Sequence, residues 1–229
     1  MDLAAVLSVF LTRLIGGYAF CFGLIGPSVR EGPWRRVSLF VVAGLSVVAF
    51  ASGAPWLPCA AVAAAALVME RGHTFRIRGV GSPVWILPLG VWLAVANEDV
   101  GPDTAAGAIA SGGTLAAMLL GHSYLIATRL SFTPLKRMAW LLFGILVVRA
   151  ALVAPLFFET RLQMMDWVFL SLRAAFGLVL PLVFAWMVIQ CAKIESNQSA
   201  TGILYAMTAL VFLGELTAVY LKLQGGFAA

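Results

Sequence analysis

The chain contains a series of apolar segments, each about as long as a membrane-spanning helix. A helix needs about 17 to 25 mainly apolar residues to cross a bilayer, and eight segments of the 229 residues reach or approach that length. They run over 3–25, 37–53, 55–70, 82–97, 104–128, 138–157, 166–192 and 200–222. Because 62% of the residues are hydrophobic and 11% are charged, a water-soluble fold of this size could not bury its apolar surface. The sequence predicts an all-α, polytopic transmembrane helix bundle and excludes an ordinary soluble enzyme, a nucleic-acid-binding domain and a disordered chain.

Two of the predicted spans are short and nearly continuous. The segments at 37–53 and 55–70 meet at a Gly-Ala-Pro sequence that begins at Gly53, and such residues favour a turn. They are either two spans joined by a tight turn, which gives eight spans in all, or a re-entrant hairpin; a merged segment would give seven. Since every loop is short, residues 1–229 are expected to form a single integral membrane domain with no soluble domain.

The basic residues alternate between successive loops and predict the orientation. Ten of them lie in the loops after the first, third, fifth and seventh segments. These are Arg30, Arg35, Arg36, Arg71, Arg76, Arg78, Arg129, Lys136, Arg137 and Lys193. The other side carries two, Arg161 and Lys222, beside the acidic residues Glu98, Asp99 and Asp103. Because positively charged loops remain in the cytoplasm, we expect eight spans with both termini outside, in a bacterial-type inner (cytoplasmic) membrane.

The sequence carries no motif for an intrinsic redox cofactor or for catalysis. Cys21, Cys59 and Cys191 fall in apolar segments without CxxC spacing, so they favour neither a metal site nor a disulfide. His73 and His122 are the only histidines, and no CxxCH motif is present. We expect no metal site and no covalently bound cofactor. The chain is not expected to be catalytic alone, although it is a candidate for the quinone-interacting subunit of an oxidoreductase complex.

Five ionisable residues lie well inside the predicted spans, where each central charge costs a few kcal/mol. They are Arg13, His122, Arg149, Arg173 and Glu215, and together they are the candidate quinone- or anion-binding residues. The arginines and the glutamate fall at a similar depth, so we expect them to face the bundle interior or a partner subunit. Glu215 is predicted to pair with an arginine, first of all Arg173 on the preceding helix. Three interpretations of the group remain open. It is a structural ion network, or it is a pocket for a quinone headgroup, an anion or an anionic lipid, or it contacts a neighbouring subunit.

His122 lies at a different depth, near the cytoplasmic end of its segment. Gly113, Ala117 and Gly121 precede it at intervals of four residues, a small-residue stripe that lets helix backbones approach closely. This segment is therefore expected to be central and tightly packed. His122 is able to donate a hydrogen bond to a quinone carbonyl or to relay a proton; alternatively, it bonds a backbone carbonyl across a helix interface.

The segment at 166–192 carries Arg173, Gly177 and Pro181 on one helical face. Proline lacks the backbone N–H and opens the preceding turn, and in lipid the freed groups need protein or water partners. This face is either the wall of a charged cavity or an accommodation to packing.

The last segment resembles the end of a known family of membrane subunits. Gly214, Glu215 and Leu216 are similar to a run in the terminal helix of the membrane anchors of molybdenum-dependent respiratory reductases, of the dimethyl-sulfoxide-reductase and polysulfide-reductase types. The resemblance covers about twenty residues, and Thr217 and Ala218 stand where that family often has an arginine. It implies an anchor that exchanges electrons between quinone and an iron–sulfur partner subunit, with Glu215 as the one residue carried over.

Two functions of different kinds fit these features. The first is an integral membrane anchor subunit of a respiratory or photosynthetic electron-transfer complex, with quinone as its candidate ligand and membrane lipids and other subunits as partners. The second is a small transporter or channel with an intramembrane polar or anion site, which the prolines and the excess of arginines favour. No inverted repeat is evident, although carriers often contain one. Nucleic acid is not an expected partner of either.

Overall fold

A computed structural model describes residues 3–24, 33–71, 101–126, 131–158 and 164–224 of the chain. Within these ranges the structure is helical, with short turns and no strand. Seven helices result: α1 (Leu3–Leu24), α2 (Pro33–Ala51), α3 (Trp56–Arg71), α4 (Pro102–Ile126), α5 (Thr133–Val153), α6 (Met164–Lys193) and α7 (Asn197–Leu223). They correspond to seven of the eight predicted segments, and the eighth, 82–97, lies outside the described residues. The prediction of an all-α bundle is confirmed.

Six of these helices are long and apolar enough to cross a membrane. By length and composition they are Leu3–Phe22, Trp34–Ala51, Pro102–Leu125, Thr133–Phe158, Met164–Lys193 and Asn197–Leu223. Large apolar side chains on their outward faces are exposed, such as Phe40 and Val47 on α2 and Val183 on α6. A bundle that presents apolar faces outward is the expected form of a multi-pass membrane protein.

The junction between the second and third predicted segments is a tight turn. Helix α2 ends at Ala51, and Gly53 adopts a φ of 95° in the turn that follows. That left-handed conformation favours glycine because a Cβ atom would be strained there. Helices α2 and α3 pack against each other, but α3 has only 16 residues and is about 24 Å long at 1.5 Å per residue.

Helix α4 is central in the bundle, as its small-residue stripe predicts. It packs against α1, α5 and α7. A Cβ atom on Gly112 would lie 1.9 Å from the backbone nitrogen of Tyr18, and one on Gly17 would lie 1.6 Å from the carbonyl oxygen of Ala108. The backbones of α1 and α4 are therefore in direct contact, which no larger residue at these two positions would permit.

Helix α6 changes its winding at the residues before Pro181. A π-helical segment covers Ala175–Val179 and is followed by regular α-helix from Leu180. Gly177 lies in this segment and packs against Gly214 of α7, where a Cβ atom would come within 2.9 Å of the Gly214 Cα. Since π-helical turns accommodate breaks in the hydrogen-bond ladder, this part of the Arg173–Gly177–Pro181 face is an accommodation to packing.

Candidate functional site

A network of buried charged side chains joins five helices in the interior of the bundle. Its members are Arg13 (α1), Asp103 (α4), Arg149 (α5), Arg173 (α6) and Glu215 (α7), with exposed fractions of 2%, 6%, 1%, 4% and 0%. We call these five residues the ion network. The four members that the sequence singled out face the interior, as the cost of placing charge in lipid requires.

Each contact in the ion network joins a guanidinium to a carboxylate. Arg13 donates from Nη1 to Oε1 of Glu215 over 2.7 Å, and the Nη2 of Arg149 forms an ion pair with Oε2 of Glu215. Arg149 also donates from Nε to Oδ1 of Asp103 over 3.1 Å. Arg173 donates from Nη2 to Oδ2 of Asp103. Mutual pairing of this kind offsets the desolvation of charges that are out of contact with water.

The predicted partnership of Glu215 was half right. Glu215 has arginine partners, but they are Arg13 and Arg149, and the predicted pairing with Arg173 is wrong. Arg173 pairs with Asp103 instead. Equal depth on adjacent helices did not decide the partner, because Asp103 supplies a second carboxylate that the sequence had placed in an outer loop.

Asp103 is the network residue that sequence reasoning missed. The segment was expected to begin at 104, yet α4 begins at Pro102 and Asp103 lies in its first turn. Two signals were present: a proline followed by an aspartate is typical of a helix start, and three intramembrane arginines had only one intramembrane carboxylate to pair with. An acidic residue in the first turn also interacts favourably with the helix dipole.

Gly107 provides the space that the centre of the network occupies. A Cβ atom at this position would lie 2.6 Å from each carboxylate oxygen of Glu215 and 2.8 Å from Nη2 of Arg149. These are side-chain atoms, but their mutual pairing leaves them little freedom to move. The missing side chain on α4 therefore permits the Arg149–Glu215 pair to form.

A small polar cavity opens beside the network. It is lined by Arg13, Asp103, Thr104, Arg173, Ala218, Leu221 and Lys222 and has a volume of about 10 Å³, enough for one water molecule. Lys222 reaches it from the last turn of α7 and donates from Nζ to the Thr104 hydroxyl over 3.3 Å. This contact identifies one end of the bundle, which we call the Lys222 end.

His122 is separate from the ion network, although the sequence grouped them as one candidate site. It lies 19 residues beyond Asp103 on α4, about 28 Å away along the helix axis. The side chain is exposed, and its Nδ1 lies 3.3 Å from the hydroxyl of Tyr205 on α7, whose side chain is 47% exposed. The expected alternative, a hydrogen bond to a backbone carbonyl across a helix interface, is not the contact observed. We call these two residues the His–Tyr pair.

The two sites differ in the chemistry they allow. The ion network is buried and internally paired, whereas the side chains of the His–Tyr pair are exposed on α4 and α7. Among the described residues, no three or more His, Cys, Asp or Glu side chains are grouped in a way that could hold a metal ion. Comparison with protein-family models, with curated proteins and with solved structures gave no match to this chain.

Proposed function

We propose that the protein is an integral membrane anchor subunit of a respiratory or photosynthetic electron-transfer complex, and that it contacts quinone at the His–Tyr pair. The observation that carries the proposal is the outward-facing contact between His122 and Tyr205 near the end of α4. Ionisable residues within membrane-spanning segments are costly and are by default candidate functional sites.

The chemistry of the pair suits a quinone carbonyl. When the Tyr205 hydroxyl donates to Nδ1 of His122, the imidazole carries its proton on Nε2 and can donate it outward. A quinone carbonyl oxygen is an acceptor for that bond. Because quinones diffuse within the bilayer, they can reach an exposed pair laterally, without a channel through the protein. The electrons would pass to or from a redox centre in a partner subunit, since the chain is expected to bind no redox metal itself.

The ion network favours an anchor over a transporter. It ties α1, α4, α5, α6 and α7 together through buried pairs, and glycine contacts bring the backbones of α1 and α4 together and those of α6 and α7 together. Alternating access requires one group of helices to rock against another, and that motion would break these pairs in an apolar interior. A rigid bundle suits a subunit that holds partners in fixed positions.

The proposed arrangement in the membrane follows the basic loops. It has eight spans, both termini outside and a place in a bacterial-type inner membrane, with lipids and other subunits of the complex as partners. In this orientation the Lys222 end faces outward and the His–Tyr pair lies toward the cytoplasmic side, near the headgroup region where a quinone ring can meet the interface.

Purification from native membranes tests the anchor assignment. The full chain, carrying a short affinity tag, is extracted in mild detergent from the organism that expresses it, and its subunit composition and visible absorption spectrum are measured. An anchor is expected to co-purify in fixed stoichiometry with a subunit that carries an iron–sulfur or haem chromophore. Recovery of the chain alone, or as a homo-oligomer without a chromophore, would overturn the assignment.

A further inference from the structure

We propose that the cavity at the Lys222 end binds a single phosphoryl group, presented by an anionic phospholipid or by free phosphate. This site is separate from the proposed quinone contact, since it lies about 28 Å from His122 along α4. It uses Thr104 and Lys222, to which neither the sequence patterns nor the proposed function assigns a role.

The electrostatics around the cavity favour an anion. Arg13, Arg173 and Lys222 line it together with the hydroxyl of Thr104, and Arg149 lies one contact further in. The carboxylates of Asp103 and Glu215 beside them are each paired with arginine. The carboxylate of Asp103 borders the cavity, but its two oxygens are engaged with Arg149 and Arg173, which reduces its repulsion of an incoming anion.

Arg173 has a second hydrogen-bond donor, its Nε, which does not bond Asp103. Its Nη2 is engaged with Asp103, whereas its Nε, which is buried, has no hydrogen-bond partner among the described residues. The residue is 4% exposed and lines the cavity. A buried guanidinium donor without an acceptor costs free energy, and an oxyanion in the cavity is an acceptor of suitable charge.

The size of the cavity and its place near the helix ends indicate how the phosphoryl group would bind. A volume of about 10 Å³ admits one oxygen atom, so a phosphoryl oxygen would enter while the rest of the molecule remains outside. Lys222 is the penultimate residue of α7 and Thr104 is the third residue of α4. Helix ends lie near the headgroup region of a bilayer, where phospholipid phosphates are found.

Two arms of one experiment separate the sources of the phosphoryl group. The purified full chain is reconstituted in nanodiscs of phosphatidylcholine alone or with phosphatidylglycerol, and bound lipid is counted by native mass spectrometry after controlled release. In the second arm, the melting temperature in phosphatidylcholine discs is followed as inorganic phosphate replaces chloride at constant ionic strength. Lys222→Met and Thr104→Val remove cavity donors, and Lys193→Met is the matched control on an exposed lysine at the other end of the bundle.

The proposal predicts retention of one phosphatidylglycerol, or a phosphate-dependent rise in melting temperature, in the unaltered chain. The first result identifies a lipid and the second a free anion. Lys222→Met is expected to weaken binding about tenfold, as loss of one charge-assisted hydrogen bond does, and Thr104→Val is expected to weaken it less. If neither phosphatidylglycerol nor phosphate has an effect, the proposal is wrong. It is also wrong if Lys193→Met weakens binding as much as Lys222→Met does, because the attraction would then be non-specific.

Discussion

Arg149 donates from Nε to Oδ1 of Asp103 over 3.1 Å, although 46 positions separate the two residues in the chain. The same guanidinium pairs with Glu215 through Nη2. Arg149 thus connects the Asp103–Arg173 pair to the Arg13–Glu215 pair, and the two pairs form one network. Removal of any single member therefore changes the charge balance around its contact partners, which are buried on other helices.

Replacement of Glu215 is expected to destabilise the bundle strongly. Glu215→Gln keeps the size of the side chain but leaves Arg13 and Arg149 facing a neutral amide, which should cost about 3–5 kcal/mol. The measurement is the unfolding free energy in detergent micelles. Glu195→Gln is the matched control, since Glu195 is exposed and 4.0 Å from Lys136, and surface pairs of this kind contribute at most about 1 kcal/mol. Equal stability of the two variants would show that the buried carboxylate does not hold the helices.

The pairing within the network can be read from double-mutant cycles. Asp103→Asn and Arg173→Met should show a coupling free energy of about 1–3 kcal/mol, because the two side chains are in direct contact. Arg173→Met and Glu215→Gln should show a smaller coupling, transmitted only through Asp103 and Arg149. Unfolding free energies of the single and double variants give both values. Stronger coupling of Arg173 to Glu215 than to Asp103 would contradict the pairing described above.

Gly107→Ala is expected to disrupt the network without altering any charge. The added methyl group would lie 2.6 Å from the carboxylate oxygens of Glu215, and overpacking of this kind costs about 1–3 kcal/mol. Gly144→Ala is the matched control, because nothing lies within 4 Å of a Cβ atom there. That change should be neutral or stabilise α5 by up to about 1 kcal/mol through helix propensity. The measurement is the thermal unfolding of both variants. If the Gly107→Ala protein were as stable as the Gly144→Ala protein, the close contact between Gly107 and Glu215 would be contradicted.

The proposed orientation predicts which cysteines react from each side of the membrane. Cys21, Cys59 and Cys191 are first replaced by alanine, and single cysteines are then introduced as Glu195→Cys and Gln224→Cys, both at exposed positions. An impermeant maleimide added to intact cells should label only the cysteine at 224, whereas the one at 195 should require permeabilised cells. The reverse pattern would place both termini in the cytoplasm and invert the topology.

Much of the fold could be predicted from the sequence, but the partners within the site could not. Apolar length is a local property, so the described helices begin and end within a few residues of their predicted bounds. The burial of Arg13, Arg149, Arg173 and Glu215 followed from the cost of charge in lipid. The pairing of arginines with carboxylates depends on where α4 begins and on how its backbone packs against α1. Both depend on tertiary structure, which the local sequence pattern does not specify. Asp103 was missed because a helix boundary that is wrong by two residues moved it into a loop.

For His122, the depth in the bundle was predicted correctly but the contact partner was not. Depth along the chain correctly separated it from the arginines, but the contact with Tyr205 depends on the antiparallel register of α4 and α7. That register also brings Thr104 close to Lys222 and Gly121 close to Thr201. The sequence pattern of neither helix specifies this register, because both helices carry apolar or small residues on several faces.

The proposed quinone contact is tested most directly by the rate at which a quinol reduces the chromophore of the purified native complex. Tyr205→Phe removes the hydroxyl beside His122, and Tyr220→Phe makes the same chemical change at the opposite end of α7, where the hydroxyl accepts from Gln224 over 3.1 Å. We predict that His122→Phe lowers the rate at least tenfold, in line with the loss of a hydrogen bond to the ligand. Tyr205→Phe should lower it less, and Tyr220→Phe should leave it unchanged. An unaltered rate in His122→Phe, with the complex intact, would contradict the account.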